Sequence, residues 1–529
     1  MDHHENTRPA PTSFPKEVEP SQDSQGDTDM EHERVRHGLE HDLERGLEPA
    51  QPAQPEAETP PEKDPNLVEW NGPDDPENPQ NFSVLKKWII TVTMAMLTVW
   101  ITFSSSIFST ATTATAKEFN VSSEVMTLGT SLALFGFAVG PLVWAPMSEL
   151  YGRRLPLFIG YTIFTIFQIP VAVAHNIQQI MIFRFLIGIF GCSPLAVVGG
   201  AMADLWNPVD RGVAIALFSG ATFLGPIVGP IMGGFITQSY LGWRWTAWIT
   251  LIAAGSFGIL AFLVIPETYG PKILQSRAAR LRKETKNWAY HSFLDEHTPT
   301  WSELVTKYLL RPIQMLILEP ILFFVTIYLT LVYGILYLFF EAYPISFIEV
   351  RGWTNQGIAS LPFIGIMIGV ILGSLLIIYT TKTRFARKLA EEGHVVPEER
   401  LVPMMIASVL LPIGIFWFGW TAHVSSWVPQ VLAGIPMGLG ILVLFMQGLN
   451  YIIDVYLMFA NSAIAANTFV RSMVGGGFPL FATAMYDRLG VGWASSVLGF
   501  ISVAMIPIPI LFFVYGAKIR AMSRFSPKF

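Results

Sequence analysis

The sequence predicts an all-α integral membrane fold of twelve transmembrane helices in two six-helix halves, and three observations carry that prediction. The 529 residues are 51% hydrophobic and only 14% charged, against about 25% charge in soluble domains. Twelve apolar runs recur from Trp88 onward, each close to the roughly 20 residues that a helix needs to cross a bilayer. Six of them precede and six follow a single long basic loop. A transmembrane β-barrel is excluded, because its strands are short and alternate in polarity.

The first element, residues 1–81, is not part of that body. It holds 21 of the 40 acids and 6 of the 34 bases, a net −15, while the remainder carries +9. Rich in Glu, Asp, Pro and Gln, it cannot bury enough apolar surface to offset its ordering entropy, so a disordered, cytoplasmic tail is predicted. His3, His4, His32, His37 and His41 are scattered along it without cysteine and read as solvated rather than metal-binding. No apolar signal-peptide core precedes the first run, so no cleaved signal is expected. Cys192 is the only cysteine, which excludes a disulfide scaffold. No dense basic patch interleaved with aromatics marks a nucleic-acid surface.

The first half, 82–265, contains spans at about 88–110, 125–147, 156–174, 178–203, 213–237 and 245–265. The second half, 320–516, contains spans at about 320–342, 357–379, 402–421, 427–451, 463–485 and 492–515. Lys and Arg decide the orientation. Arg153 and Arg154 follow span 2, eight bases lie in the central loop 266–319, five follow span 8, and four end the chain in 517–529. The opposite side has only Lys117, Arg244, Arg351 and Arg488. Both termini and the central loop are therefore predicted to be cytoplasmic. Equal helix counts about one loop are the layout of a duplicated transporter.

Within the spans, span 1 carries a one-sided hydroxyl stripe of Thr91, Thr98, Thr102, Ser105, Ser109 and Thr112, at spacings that keep one helical face. The stripe is expected to face the interior, or else its hydroxyls bond their own backbone. Span 5 reads Gly220, then Gly225-Pro226, Gly229-Pro230 and Gly233-Gly234. Glycines four apart admit a close helix, and the prolines bend the chain. Gly365, Gly369 and Gly373 of span 8 are the candidate partner across the halves, where a gate is needed. Gln447, Asn450, Tyr451 and Asp454 form a polar cluster near the cytoplasmic end of span 10. With Phe103, Tyr333 and Tyr337, the expected cavity wall is aromatic and weakly polar, which suits bulky amphipathic molecules better than sugars.

Three ionisable residues lie inside the assigned spans: Arg184, Glu341 and Arg471. Such residues are costly in a bilayer and are functional candidates by default. Glu341 shares a helical face with Tyr337 and Tyr333, and is the candidate proton-coupling acid or the neutraliser of a cationic substrate. Its alternative is an interfacial Glu wetted from outside. Arg184 cannot release a proton, so it is expected to hold a carboxylate or carbonyl. Arg471, about two turns into span 11, is expected in a structural ion pair with Asp454 or Glu149. The spans contain no histidine, carboxylate pair or metal-ligand cluster, so no enzyme, metal site or cofactor is predicted.

Several motifs add a family resemblance. Ala145-Pro-Met-Ser-Glu149-Leu-Tyr-Gly152-Arg153-Arg154 resembles the loop between helices 2 and 3 of the major facilitator superfamily, with Ala145 where Gly is preferred and Glu149 where Asp is preferred. Gly152 permits the tight turn, and Glu149 is expected to pair with a base of the opposing half as a cytoplasmic latch. Arg184 with Gly188 matches the superfamily's span 4 pattern, and Asp204 and Asp210-Arg211-Gly212 fall in the next loop as that family arranges them. The span 5 glycines and prolines resemble the signature of its antiporters.

Asp74-Asp75-Pro76-Glu77-Asn78-Pro79, Pro266-Glu267-Thr268, Asn450-Tyr451 with Asp454, and Ala465-Ala466-Asn467 with Arg471-Ser472 together resemble the fungal twelve-span drug:proton antiporters. These include multidrug, polyamine and secondary-metabolite exporters, and the resemblance covers about 70–520. It implies a monomeric plasma-membrane (alternatively vacuolar) carrier that exports amphipathic drugs, toxins or a secondary metabolite by alternating access. The proton gradient would drive it, with no cofactor. Polyamine export, uptake of a small organic solute and a non-transporting sensor are the alternatives. Asn120-Val121-Ser122 is a glycosylation sequon in a short outer loop.

Overall fold

The structure, a computed structural model, describes residues 64–296, 303 and 306–526. α1 (Val84–Ile107) starts at Ser83, whose hydroxyl accepts the Lys86 amide, and runs through a 3₁₀ turn (Phe108–Ala111) into Thr112–Phe119. α2 (Ser123–Leu150) is capped by Ser122. α3 (Arg154–Ile166) continues into a short helix, Gln168–Ala172. α4 (Ile177–Leu205) is capped by Asn176, and α5 (Pro208–Gln238) by Asn207 with proline at its first position. α6 (Arg244–Val264) completes the first half. The second half has α7 (Pro320–Pro344), α8 (Phe363–Thr380), α9 (Leu401–Trp420) and α10 (Val428–Tyr456).

Eleven continuous helices among the described residues are long and apolar enough to cross a membrane, one fewer than the sequence predicts. The last, Ala460–Met522, has 63 residues and would be about 95 Å long if straight, three times the bilayer core. Gly490 breaks it, with φ 73° and ψ 164°. The Tyr486 and Ser495 hydroxyls on either side of the break are 3.2 Å apart, whereas nine residues of unbroken helix rise about 13 Å. The segment is a hairpin of α11 (460–489) and α12 (491–505, continued by Pro507–Met522). The described residues therefore form twelve spans.

The two halves are built alike. α1 packs along α5 and α2 along α4, as α7 packs along α11 and α8 along α10. Between halves, α2 meets α11 and α5 meets α8. The glycine ladders serve the first kind of contact, which corrects the expected pairing of spans 5 and 8. A Cβ at Gly225 would stand 2.1 Å from Thr102 Oγ1, at Gly229 2.1 Å from Ser106 Oγ, and at Gly233 2.4 Å from Thr110 Oγ1, all on α1. Gly365 and Gly369 abut the Val431 and Ile435 carbonyls of α10, and Gly373 meets Val443 there. Close backbone approach seals each half internally. The contacts of α5 across the halves use other residues: Gly220 against Ser374 of α8, and Gly234 against Gln356 and Gly357 of the short helix Gln356–Ser360 that precedes α8.

One face of the helical body carries the basic loop between α6 and α7; it is termed the loop face, and the opposite end the far face. On the loop face, residues 66–82 are ordered, which corrects the predicted extent of the disordered tail. Residues 1–63, with the five histidines, lie outside the described residues. Arg277 of the loop helix Gly270–Thr285 bonds Asp75 at 2.8 Å and Glu77 at 3.0 Å. Val68 and His291 are joined backbone to backbone at 2.8 Å. Sequence composition hid this docking because it rests on a few charges rather than on buried aliphatic area.

Candidate functional site

A cavity of about 330 Å³ lies between the halves, in the loop-face portion of the helices. α2 contributes Glu149, α4 Cys192, α5 Arg211, α7 Tyr333, α10 Ile453 and α11 Arg471. Toward the far face the halves close. Ser105 Oγ of α1 and Tyr337 Oη of α7 are 2.9 Å apart. Farther out, Gln356 joins the halves: its side-chain amide donates to the Thr110 carbonyl at 3.1 Å and accepts from Thr237 Oγ1 at 3.4 Å, while its backbone amide donates to Gln238 Oε1 at 2.9 Å.

Arg471 stands in this cavity without the ion pair expected of it. Its guanidinium carbon lies 5.1 Å from the Tyr333 ring centre and 4.6 Å from that of Phe445, and its buried Nε has no hydrogen-bond partner. The two carboxylates proposed for it are committed elsewhere. Asp454 bonds Arg400 at 2.8 Å, with both side chains at most 5% exposed. Glu149 pairs with Lys307 of the central loop and accepts from Asn461 Nδ2 of α11 at 2.7 Å. Glu149 thus bridges to the opposing half at the cavity's loop-face rim.

Of the other residues predicted for the cavity wall, only Tyr333 lines it, packed 5.0 Å from the Tyr337 ring. The hydroxyl stripe of α1 is turned inward but is mostly spent on its own backbone: Thr102 donates to the Thr98 carbonyl and Ser105 to that of Thr102. Thr102 and Phe103 are buried against α5. Gln447, Asn450 and Tyr451 are buried inside the second half, where Tyr451 meets Phe512 of α12. Hydroxyl and amide periodicity marks an inward face without telling whether a cavity or a neighbouring helix lies opposite.

Arg184 holds carbonyls. It donates to the Gly129, Ser104 and Ser105 oxygens at 2.9, 2.7 and 3.0 Å and lies over Phe108. Those Ser carbonyls would otherwise accept from Phe108 and Ser109, where α1 tightens into its 3₁₀ turn. Glu341 is one turn beyond Tyr337 toward the far face, outside the cavity lining, with a buried Oε1 that has no hydrogen-bond partner among the described residues. Asn120 is exposed at a left-handed turn, φ 53°.

The sequence model of the Major Facilitator Superfamily matches residues 94–479. The chain belongs to the Major Facilitator Superfamily. It is therefore a multi-pass membrane transporter and not an enzyme. The citrinin biosynthesis cluster MFS transporter of Monascus ruber is 64% identical over 476 residues, covering 90% of this chain and 95% of that one. The cercosporin MFS transporter of Cercospora nicotianae is 48% identical over 465 residues, covering 87% and 90%. Among solved structures, the partially occluded inward-open xylose transporter of E. coli superposes with a TM-score of 0.57 at 17% identity, covering 82% of this chain and 98% of that one.

The transporter's loop face carries a network that the motifs only partly announce. At Gly152 the backbone is left-handed, φ 87°, and a Cβ would stand 2.5 Å from Glu267 Oε2. Glu267 accepts the amides of Arg153, Arg154, Thr268 and Tyr269, while the Arg153 side chain bonds Asp204 at 3.0 Å. The Arg154 side chain donates to the Phe262 carbonyl. The second half repeats the device: Arg400 pairs with Asp454, and Arg520 in the last turn of α12 with Glu398 at 2.9 Å. Glu398, Arg400, Lys307, Asn461 and Phe445 were not singled out by sequence, and Glu267 entered only as part of the Pro266-Glu267-Thr268 resemblance. Matching Arg153/Asp204 to Arg400/Asp454 across the duplication is the signal that finds the second set.

Proposed function

We propose that this transporter exports an amphipathic, aromatic small molecule of the secondary-metabolite kind across the plasma membrane, in exchange for protons. The observation that carries this reading is the cavity between the halves, walled by Tyr333 and apolar helix faces and bearing a half-buried cation in Arg471. The positive-inside rule puts the loop face in the cytoplasm, so the cavity lies on the cytoplasmic side. Relatives named for citrinin and cercosporin support the substrate kind. A polyamine would meet Arg471 and Arg211 in this cavity, and like charges repel.

Alternating access then means breaking the Ser105–Tyr337 and Gln356 contacts while the rest of the loop face closes around the Glu149 bridge. Glu341, a carboxyl with a buried unpaired oxygen beside that far-face seal, is the proton site: it takes a proton from outside as the compound leaves. The experiment exposes cells lacking or overproducing the protein to a panel of toxic compounds. Lower intracellular accumulation of at least one compound on overproduction is expected. Unchanged accumulation of every compound, with the protein confirmed at the plasma membrane, contradicts export.

A further inference from the structure

We infer that the compound carried is an organic anion, a flat aromatic molecule with a carboxylate or a comparably acidic enol, recognised by Arg471. This rests on the export reading above for its direction, but not for its chemistry.

A guanidinium always carries its charge and presents five donors in a planar fork that matches a carboxylate. Removed from water, such a group is normally paired. Arg471 is not. It lines the cavity, makes no hydrogen bond or ion pair among the described residues, and leaves Nε buried and unsatisfied. The titratable groups facing it are Tyr333, Cys192 and Tyr337, with no carboxylate among them. Of the other charges at the cavity, Arg153 is spent on Asp204 and Glu149 on Lys307, while Arg211 adds a second cation that feels the Asp454–Arg400 pair.

Packing against Tyr333 and Phe445 orients the fork. The two rings lie 6.0 Å apart, inclined by 27°, and both present their faces to the guanidinium. Cation–π contact holds the charge without satisfying its N–H donors. The site is therefore a positioned cation with vacant donors and flat aromatic surface beside it, which is what a conjugated acid complements. A neutral amide of the same shape offers the fork one uncharged carbonyl oxygen in place of two charged ones, and so forgoes the stronger, bidentate, charge-assisted pair.

The test uses the full-length protein in detergent at pH 7 and three probes of similar size: 1-naphthoate, the acidic enol 4-hydroxycoumarin, and neutral 1-naphthamide. Affinity is read by titration calorimetry. Wild type is expected to bind at least one anionic probe about tenfold or more tightly than the amide, and the pattern of the two shows whether carboxylate or enol is preferred. R471Q is expected to lose that preference. R471K, which keeps the charge but not the fork, is expected to retain part of it and carries the test if R471Q does not fold. Equal binding of anion and amide by wild type, no anion binding, or a preference unchanged in R471Q would each overturn the inference. Cells that export a neutral amphipathic dye through a protein blind to both anions would leave export standing and remove the anion site. Anion-selective binding without any change in cellular accumulation would do the reverse.

Discussion

Ser105 Oγ and Tyr337 Oη meet at 2.9 Å across the boundary between the two halves, directly beyond the cavity that Tyr333 and Arg471 line. One hydroxyl pair thus joins the first helix of each half at the point where the cavity ends.

Removing that bond is expected to bias the conformational equilibrium. Tyr337→Phe keeps the ring and deletes one buried hydrogen bond, worth about 0.5–1.5 kcal/mol net, which shifts the population toward far-face opening by up to roughly tenfold. Spin labels at exposed Tyr240 and Ser425 on the far face would report a longer distance population in the variant. An unchanged distribution would show that the contact does not hold the halves together.

The α8–α10 seam predicts a stability difference between two glycines. At Gly365 a Cβ would stand 2.1 Å from the Val431 carbonyl oxygen, whereas at Gly477 it would meet nothing within 4 Å. Gly365→Ala is expected to cost about 1–3 kcal/mol through forced backbone displacement, and Gly477→Ala to lie within about 0.5 kcal/mol of wild type. Thermal unfolding in detergent compares them, and similar melting temperatures would deny the close packing.

The clasp on the loop face has a defined acid limit. The Arg277 guanidinium, helped by the amides of Asn71 and Glu77, lowers the Asp75 carboxyl from 3.8 to about 2. A depressed carboxylate contributes stability above its ordinary pKa and loses it as pH falls toward the folded value. The docked segment should therefore be insensitive to pH above about 4 and release between there and about 2. At neutral pH, Asp75→Asn is expected to accelerate tryptic cleavage after Arg277 and Arg280. Cleavage at the wild-type rate would mean that the remaining contacts suffice.

The twelve spans and their doubling were legible because a bilayer forces long apolar helices, and that constraint is written locally in the chain. The last 63 residues of helix are too long to cross once, and Gly490 divides them into two spans. The contact that Glu149 makes with the opposing half was legible for a similar reason: its motif places a carboxylate at a helix end. Partners were another matter. Whether Asp454 reaches Arg471 or Arg400 depends on which helices lie side by side and at what height, and periodicity in one helix says nothing of that. The stripe of α1 shows the same limit: inward-facing hydroxyls look alike whether they meet a cavity or the glycines of α5.

Proton coupling is decided in proteoliposomes that are acidic inside, with 1-naphthoate and 1-naphthamide supplied outside at equal concentration. An exchange of compound for protons predicts that wild type accumulates a probe above its external level, and that a protonophore abolishes this. Passive movement of a weak acid runs the other way, toward the alkaline side, so leakage cannot imitate the result for naphthoate. Glu341→Gln is expected to keep exchange of labelled for unlabelled probe while losing the pH-driven accumulation. Wild-type uptake that stops at equilibrium whatever the gradient, or a Glu341→Gln variant that still accumulates the probe as wild type does, would contradict proton-coupled export through Glu341.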